Sequence, residues 1–319
     1  MVRGLVVLAL LEGAACSDPP EVPVDARQPD AALPTALPLL LSEAGLYSDF
    51  PGRQLVDGTR SFAPNSVLWS DGAIKERWIQ LPSDAEIDST DMDHWLFPVG
   101  TKWFKQFSRD GKRLETRLIW RVADTGDRER DTLFGSYVWN DTETEATFAK
   151  DGAVDVRGTD HDVPSAATCW RCHIGEEGRA LGFSALQLGD VSQLPLSRPP
   201  PAGTTFAAPD PALGYLHANC GHCHNPNGGA WASSSMVLRL DVAETTASAT
   251  QIVQTTVGVD IQQWLGHGYT KRIVAGDPTN SALWFRMTQR TVNVQMPPIV
   301  TEHPDPAGVE LLRTWIQSQ

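Results

Sequence analysis

Five cysteines occur in the chain, and four of them fall in two short runs of the same form. These are Cys169-Trp170-Arg171-Cys172-His173 and Cys220-Gly221-His222-Cys223-His224. Two thiols three positions apart, with a histidine directly after the second, form the attachment pattern for c-type haem. The spacing lets two sulfurs add across the two vinyl groups of one porphyrin while the adjacent imidazole reaches the iron as proximal ligand. Two such runs predict two covalently bound haem c groups, tethered by Cys169 and Cys172 and by Cys220 and Cys223, with His173 and His224 on the irons. A structural zinc site made from two C-x2-C pairs usually places them about 15–20 residues apart, and here the interval is far longer. Two disulfides would leave the histidine after each pair without a purpose.

A closed iron needs a second axial ligand. No methionine lies between His173 and Cys220, and that interval is too short for a complete cytochrome fold. The first site must therefore recruit its distal ligand from elsewhere in the chain, or stay open. Closure by a histidine suits electron transfer best. His161 is nearest in sequence, and His94, His217, His267 and Met236 are further candidates.

Downstream, three Asp-Pro pairs (Asp210-Pro211, Asp277-Pro278, Asp305-Pro306) mark helix starts. Aspartate caps free backbone N–H groups, and proline suits the first helical position. In the last of these segments Val309, Leu312, Trp315 and Ile316 form one apolar stripe at helical spacing. Helix into CxxCH, loops, helix, a Met-Pro-Pro turn and a terminal helix is an order similar to the single-haem class I cytochrome c fold. That resemblance implies that Met296, in the run VQMPP, is the distal ligand of the second haem, with Met287 in reserve. Thioether sulfur is a soft donor that favours ferrous iron.

From about 42 to 160 the pattern has period two. Leu114, Thr116, Leu118, Trp120 and Val122 point one way, and Arg113, Glu115, Arg117 and Arg121 the other, with Ile119 the exception. This is the signature of a half-buried antiparallel strand. Similar runs are KERWIQL, TKWFKQF, GSYVWN and ATFAK, punctuated by Asp71-Gly72, Asp110-Gly111 and Asp151-Gly152. Several short strands so spaced predict a β-sandwich, with Trp69, Trp78, Trp95, Trp103, Trp120 and Trp139 supplying its core more readily than a ligand cleft. Asp91, Asp93 and His94 read as a solvated turn, although they have the composition of a metal corner. The expected fold class is thus α+β multidomain: an N-terminal antiparallel β-sandwich-like domain followed by an all-α class I cytochrome c-like domain.

The net charge of −13 argues against nucleic acid as a partner, because phosphate binding needs clustered cations. At the N-terminus, Arg3 and GLVVLALL resemble a secretory signal. Small residues then precede Cys16, as at a bacterial lipoprotein cleavage site. The organisation expected is a signal peptide at 1–15, a lipid-anchored Pro/Ala/Asp-rich tether at 16–41, a β-rich domain at 42–160, a first haem segment and linker at 161–203, and the cytochrome c-like domain at 204–319. Such a protein would sit on the periplasmic side or cell surface, held to a membrane through lipid on Cys16.

FPVGTKWFKQF, ETRLIW, YVWN, VPSAATCWRCH with LGFSALQL, YLHANCGHCH, GDPTNSALWFRM and MPP together resemble a family of exported bacterial two-haem c-type cytochromes. The likeness covers nearly all of the chain after the tether. It implies single-electron transfer between a donor and an acceptor protein, and it supplies no substrate. Two other function classes stay open: a two-haem peroxidase-like oxidoreductase with one open iron, and a β-domain docking module with the haems as its electron outlet.

Overall fold

The alternating runs pair as one antiparallel meander. In the computed structural model, which describes Met1 and residues 34–127, 129–188, 190–201, 210–263 and 267–319, the strands are β1 (Tyr47–Asp49), β2 (Gln54–Leu55), β3 (Arg60–Ser61), β4 (Ile74–Gln80), β5 (Lys102–Arg109), β6 (Lys112–Arg121), β7 (Thr132–Trp139) and β8 (Ala146–Phe148). The first two form a small ribbon, and β3 to β8 form a six-stranded sheet in sequence order. The expected signal peptide, Cys16, the expected tether as far as residue 33 and residues 202–209 lie outside the described residues.

Two apolar cores flank this sheet. One face carries Trp78, Phe104, Leu118 and Tyr137, packed under Leu37, Leu41 and Leu46 from the segment before β1. On the other face Ile79 and Trp103 pack against Ile87, Trp95, Phe97 and Phe183. Of the six tryptophans of the β-rich half, Trp78, Trp95, Trp103 and Trp139 are buried, and Trp139 directs its indole N–H to the Thr116 hydroxyl at 3.0 Å. At β6 the expected solvent face is not in solvent: Glu115 has no exposed surface.

The expected pair of a β-sandwich and an all-α domain is not what forms. A sandwich needs a second sheet facing the first, whereas here helix α1 (Ala166–His173) and the loops around it cover the second face. The C-terminal part is not all-α either. Its helices, α2 (Pro211–Asn219), α3 (Trp231–Ser234), α4 (Gln251–Thr256), α5 (Ala282–Met287) and α6 (Pro306–Gln317), are mostly short and are joined by long irregular stretches. The Asp-Pro signals mark three starts, but the middle one opens only a three-residue 3-10 turn, Pro278–Asn280. Helix spacing in the sequence gave the termini and overstated what lay between them.

Pro34–Gln319 form one compact unit. Helices α2 and α6 pack through a third core that includes Leu213, Leu216, Leu312 and Ile316. Tyr215 lies on Gly308, where a Cβ would come 2.2 Å from the ring. Polar contacts join the sheet half to this core: Trp69 N–H donates to the Asn219 side chain at 2.7 Å, and Arg239 donates to the Asp93 carbonyl at 2.6 Å. Among the described residues no helix is long and apolar enough to cross a membrane.

Candidate cofactor site

The first CxxCH run is helical because Ser165 caps it. The Ser165 hydroxyl accepts from the Thr168 N–H at 3.2 Å, after Pro164 has kept the preceding chain extended. Within α1, Cys169, Cys172 and His173 stand at positions i, i+3 and i+4, so both sulfurs and the imidazole share one face. The His173 ring packs on Phe134 of β7, centroids 5.1 Å apart. Its Nδ1 lies 2.6 Å from the Arg179 carbonyl oxygen. A carbonyl only accepts, so Nδ1 carries the proton and the neutral ring keeps its lone pair on Nε2. Arg179 returns to tie the end of α1, donating to the carbonyls of Ile174 and Glu176 at 2.6 and 2.7 Å.

The second run begins where α2 ends. Cys220 N–H still bonds to Leu216 O, and the His224 N–H bonds to the Cys220 carbonyl at 2.9 Å, so Cys220 to His224 make one more turn. Gly221 is required there, since a Cβ would meet the His217 carbonyl at 2.6 Å and that of Leu238 at 2.9 Å. The His224 Nδ1 is 3.2 Å from Ser234 Oγ. The Ser234 hydroxyl already donates to the Ala230 carbonyl at 2.9 Å, so it accepts from Nδ1–H, and Nε2 is again the atom left with a lone pair. Neither Nε2 has a hydrogen-bond partner among the described residues. Burial pushes the pKa of both His173 and His224 down to about 4, helped by the neighbouring charge of His222, so both rings are neutral at pH 7.

The two runs, far apart in sequence, touch. Cys223 Sγ lies 3.8 Å from the Arg171 carbonyl, and the ligand atoms of Cys172, His222 and Cys223 lie within 4.8 Å of one another. All four cysteines are free thiols. Burial raises Cys169 to about 11 and Cys220 to about 12. Between the touching pair, the hydrogen bond from Cys223 lowers Cys172, and the same bond raises Cys223.

Other predicted residues lie as follows. Met296 is half-buried, its N–H on the Arg286 carbonyl at 2.9 Å, and the Arg286 charge is felt at His224. Met287 is in the C-terminal core and Met236 packs against it. His161 is buried, with Nε2 held 2.9 Å from Glu115 Oε1, so that nitrogen is already engaged. His217 accepts the Leu240 N–H at 2.9 Å. His267 is exposed. His94 lines a cavity of about 190 Å³ with Asp93, Arg239 and Asn225, the last of these directly after the second motif. Asp91 makes the expected turn, accepting from the N–H groups of Asp93 and His94 at 2.9 and 3.2 Å. Asp93 itself is buried and accepts from Val242 N–H at 3.1 Å, and burial lifts its pKa to about 7.

Sequence reasoning missed the residues that hold the histidines, Arg179 and Ser234, and the charged row of the sheet that faces the first motif. A serine ten positions after a CxxCH run carries no signal of its own. The row carried a faint one: Ile119 broke the polar face of β6, as happens when that face is covered.

The residues present fit covalent haem: paired thiols in one turn, and a neutral imidazole with Nε2 free and Nδ1 tethered, the arrangement that orients metal-bound histidine. Compared with known proteins, the chain matches no family model, no curated protein and no solved structure.

Proposed function

We propose that the chain is a two-haem c-type cytochrome that passes single electrons. The observation that carries this reading is the paired tethering of His173 by Arg179 and of His224 by Ser234, each with Nε2 left unprotonated. A disulfide pair gives no reason for two such rings. Haem attached at these cysteines would supply a one-electron ferric/ferrous couple. The chain's part is to anchor each porphyrin through two sulfurs, fix each ring's tautomer, and keep the two attachment segments in contact so that an electron has a short passage between them. Met296 is proposed as the distal ligand of the second haem. Export, lipidation of Cys16 and redox partner proteins belong to the same proposal. A pyridine haemochrome spectrum of protein made with a c-type haem assembly system tests it: the band of thioether-linked haem is expected, and its absence would overturn the reading.

A second reading rests on the closeness of Cys172, His222 and Cys223. Two thiolates and an imidazole suit zinc or another soft metal. Metal analysis of protein made without haem assembly separates the two: stoichiometric zinc, lost in His222→Ala, would favour it.

A further inference from the structure

The sheet face beneath α1 carries a row of cations in an unexpected place. Register sets Arg77 of β4 opposite Lys105 of β5, Lys105 opposite Arg117 of β6, and Arg117 opposite Ser136 of β7. Directly paired residues share a face, and like charges so paired repel. One carboxylate serves the row. Glu115 takes two hydrogen bonds from Arg117, at 3.0 and 2.6 Å, and a third contact from His161. Arg77 and Lys105 have no carboxylate partner among the described residues, and Lys75, one pair further along, donates to the Leu68 carbonyl at 2.6 Å. Ser136 Oγ is wholly buried with no hydrogen-bond partner. With Lys75 beside the row, four basic side chains stand against one carboxylate, an excess of positive charge that is costly where it is covered unless an anion joins it.

The row faces the first motif. Phe134, two residues before Ser136 on β7 and on the same face, touches the rings of both His173 and Trp170. Lys105 is close enough for its charge to act on His173, and Arg117 close enough to feel Cys169 and Cys172.

We propose that Arg77, Lys105, Arg117 and Ser136 bind the two propionate carboxylates of the haem attached to Cys169 and Cys172. This rests on the haem reading of that motif. Two carboxylates would offset much of that excess, and the Ser136 hydroxyl supplies a neutral donor at the end of the row. It also gives the β-sheet a function: it is the seat of the first haem. Burial, with Arg77, Arg117 and Lys75 close by, pushes the Lys105 pKa well down. A carboxylate beside it would relieve that cost.

The test uses the full chain matured with haem, in wild type, Lys105→Gln, Ser136→Ala and Lys105→Arg. Intact mass first establishes which motifs carry haem. Potentiometric titration then reads both haems, and resonance Raman reads their propionate bending bands. In Lys105→Gln, loss of a cation should lower the potential of one haem and shift its propionate band, leaving the other haem unchanged, with Lys105→Arg restoring both. Ser136→Ala, which keeps every charge, should shift the same propionate band. Unchanged potentials and bands in both variants, with two haems attached, would overturn the proposal. Wild type with no haem on Cys169 and Cys172 would overturn the haem reading of that motif and this proposal with it, a result visible before any variant is made.

Discussion

Gly175 and His222 are in contact: a Cβ on Gly175 would lie 2.1 Å from the His222 carbonyl oxygen and 2.8 Å from the Asn225 side chain. The residue two past the first motif is thus the floor on which the second motif rests. Gly175→Ala should push the motifs apart, with destabilisation of about 1–3 kcal/mol, the usual cost of overpacking. Urea unfolding measures it. A variant as stable as wild type would mean that the two runs are not clamped together.

Met296→Ala should leave both haems attached, remove the ferric iron–thioether absorption of one, and lower that haem's potential. Near-infrared absorption and redox titration check this. An unchanged spectrum would transfer the role to another residue, and Met287 is poorly placed for it because it is buried in the C-terminal core.

His161 was the nearest candidate to close the first iron, and its Nε2 is committed to Glu115 instead. Burial pushes the Glu115 carboxyl up, yet Arg117 and the bonds from His161 and Arg117 outweigh it and hold the pKa at about 2. His161→Ala should therefore cost about 1.5–3 kcal/mol, as expected for a hydrogen bond to a charged group, and leave the low-temperature spin-resonance signals of the oxidised protein unchanged. Loss of one low-spin signal would show that the ring leaves Glu115 for the iron. A high-spin signal already present in wild type, and shifted by cyanide, would favour the open-site enzyme class.

How much was legible follows from the range of each cause. CxxCH and Asp-Pro are local chemistry, so the cysteines, His173, His224 and the starts of α2 and α6 could be read directly. Strand alternation was legible too, but alternation does not say what covers the polar face. KERWIQL, TKWFKQF and ETRLIW each contribute a cation to the row, and only the register Arg77–Lys105–Arg117 brings these together. The tethers of the histidines were hidden for a similar reason. Arg179 acts through its backbone carbonyl, which every residue has, and Ser234 through a hydroxyl whose partner is set by a turn.

His217 gives a pH prediction independent of the metal chemistry. It is buried as an acceptor for Leu240 N–H, and burial, with Arg239 and His222 nearby, lowers its pKa from 6.5 to about 3. Between those values the unfolded chain binds the proton and the folded one does not. Stability from this group is therefore complete above pH 6.5 and is lost as pH falls toward 3. At pH 5 the loss is roughly 2 kcal/mol. Unfolding free energies at pH 7 and 5 should show a drop that is smaller in His217→Gln, and equal drops would mean that the ring is not held neutral.

The central claim is that both CxxCH motifs carry covalent haem. Intact mass of the full chain matured by a c-type haem assembly system, followed by mapping of haem-bearing peptides, tests it most directly. The account predicts two haems per chain, one on Cys169 and Cys172 and one on Cys220 and Cys223. A chain with a single haem, or with none and the thiols free to hold zinc, would contradict it.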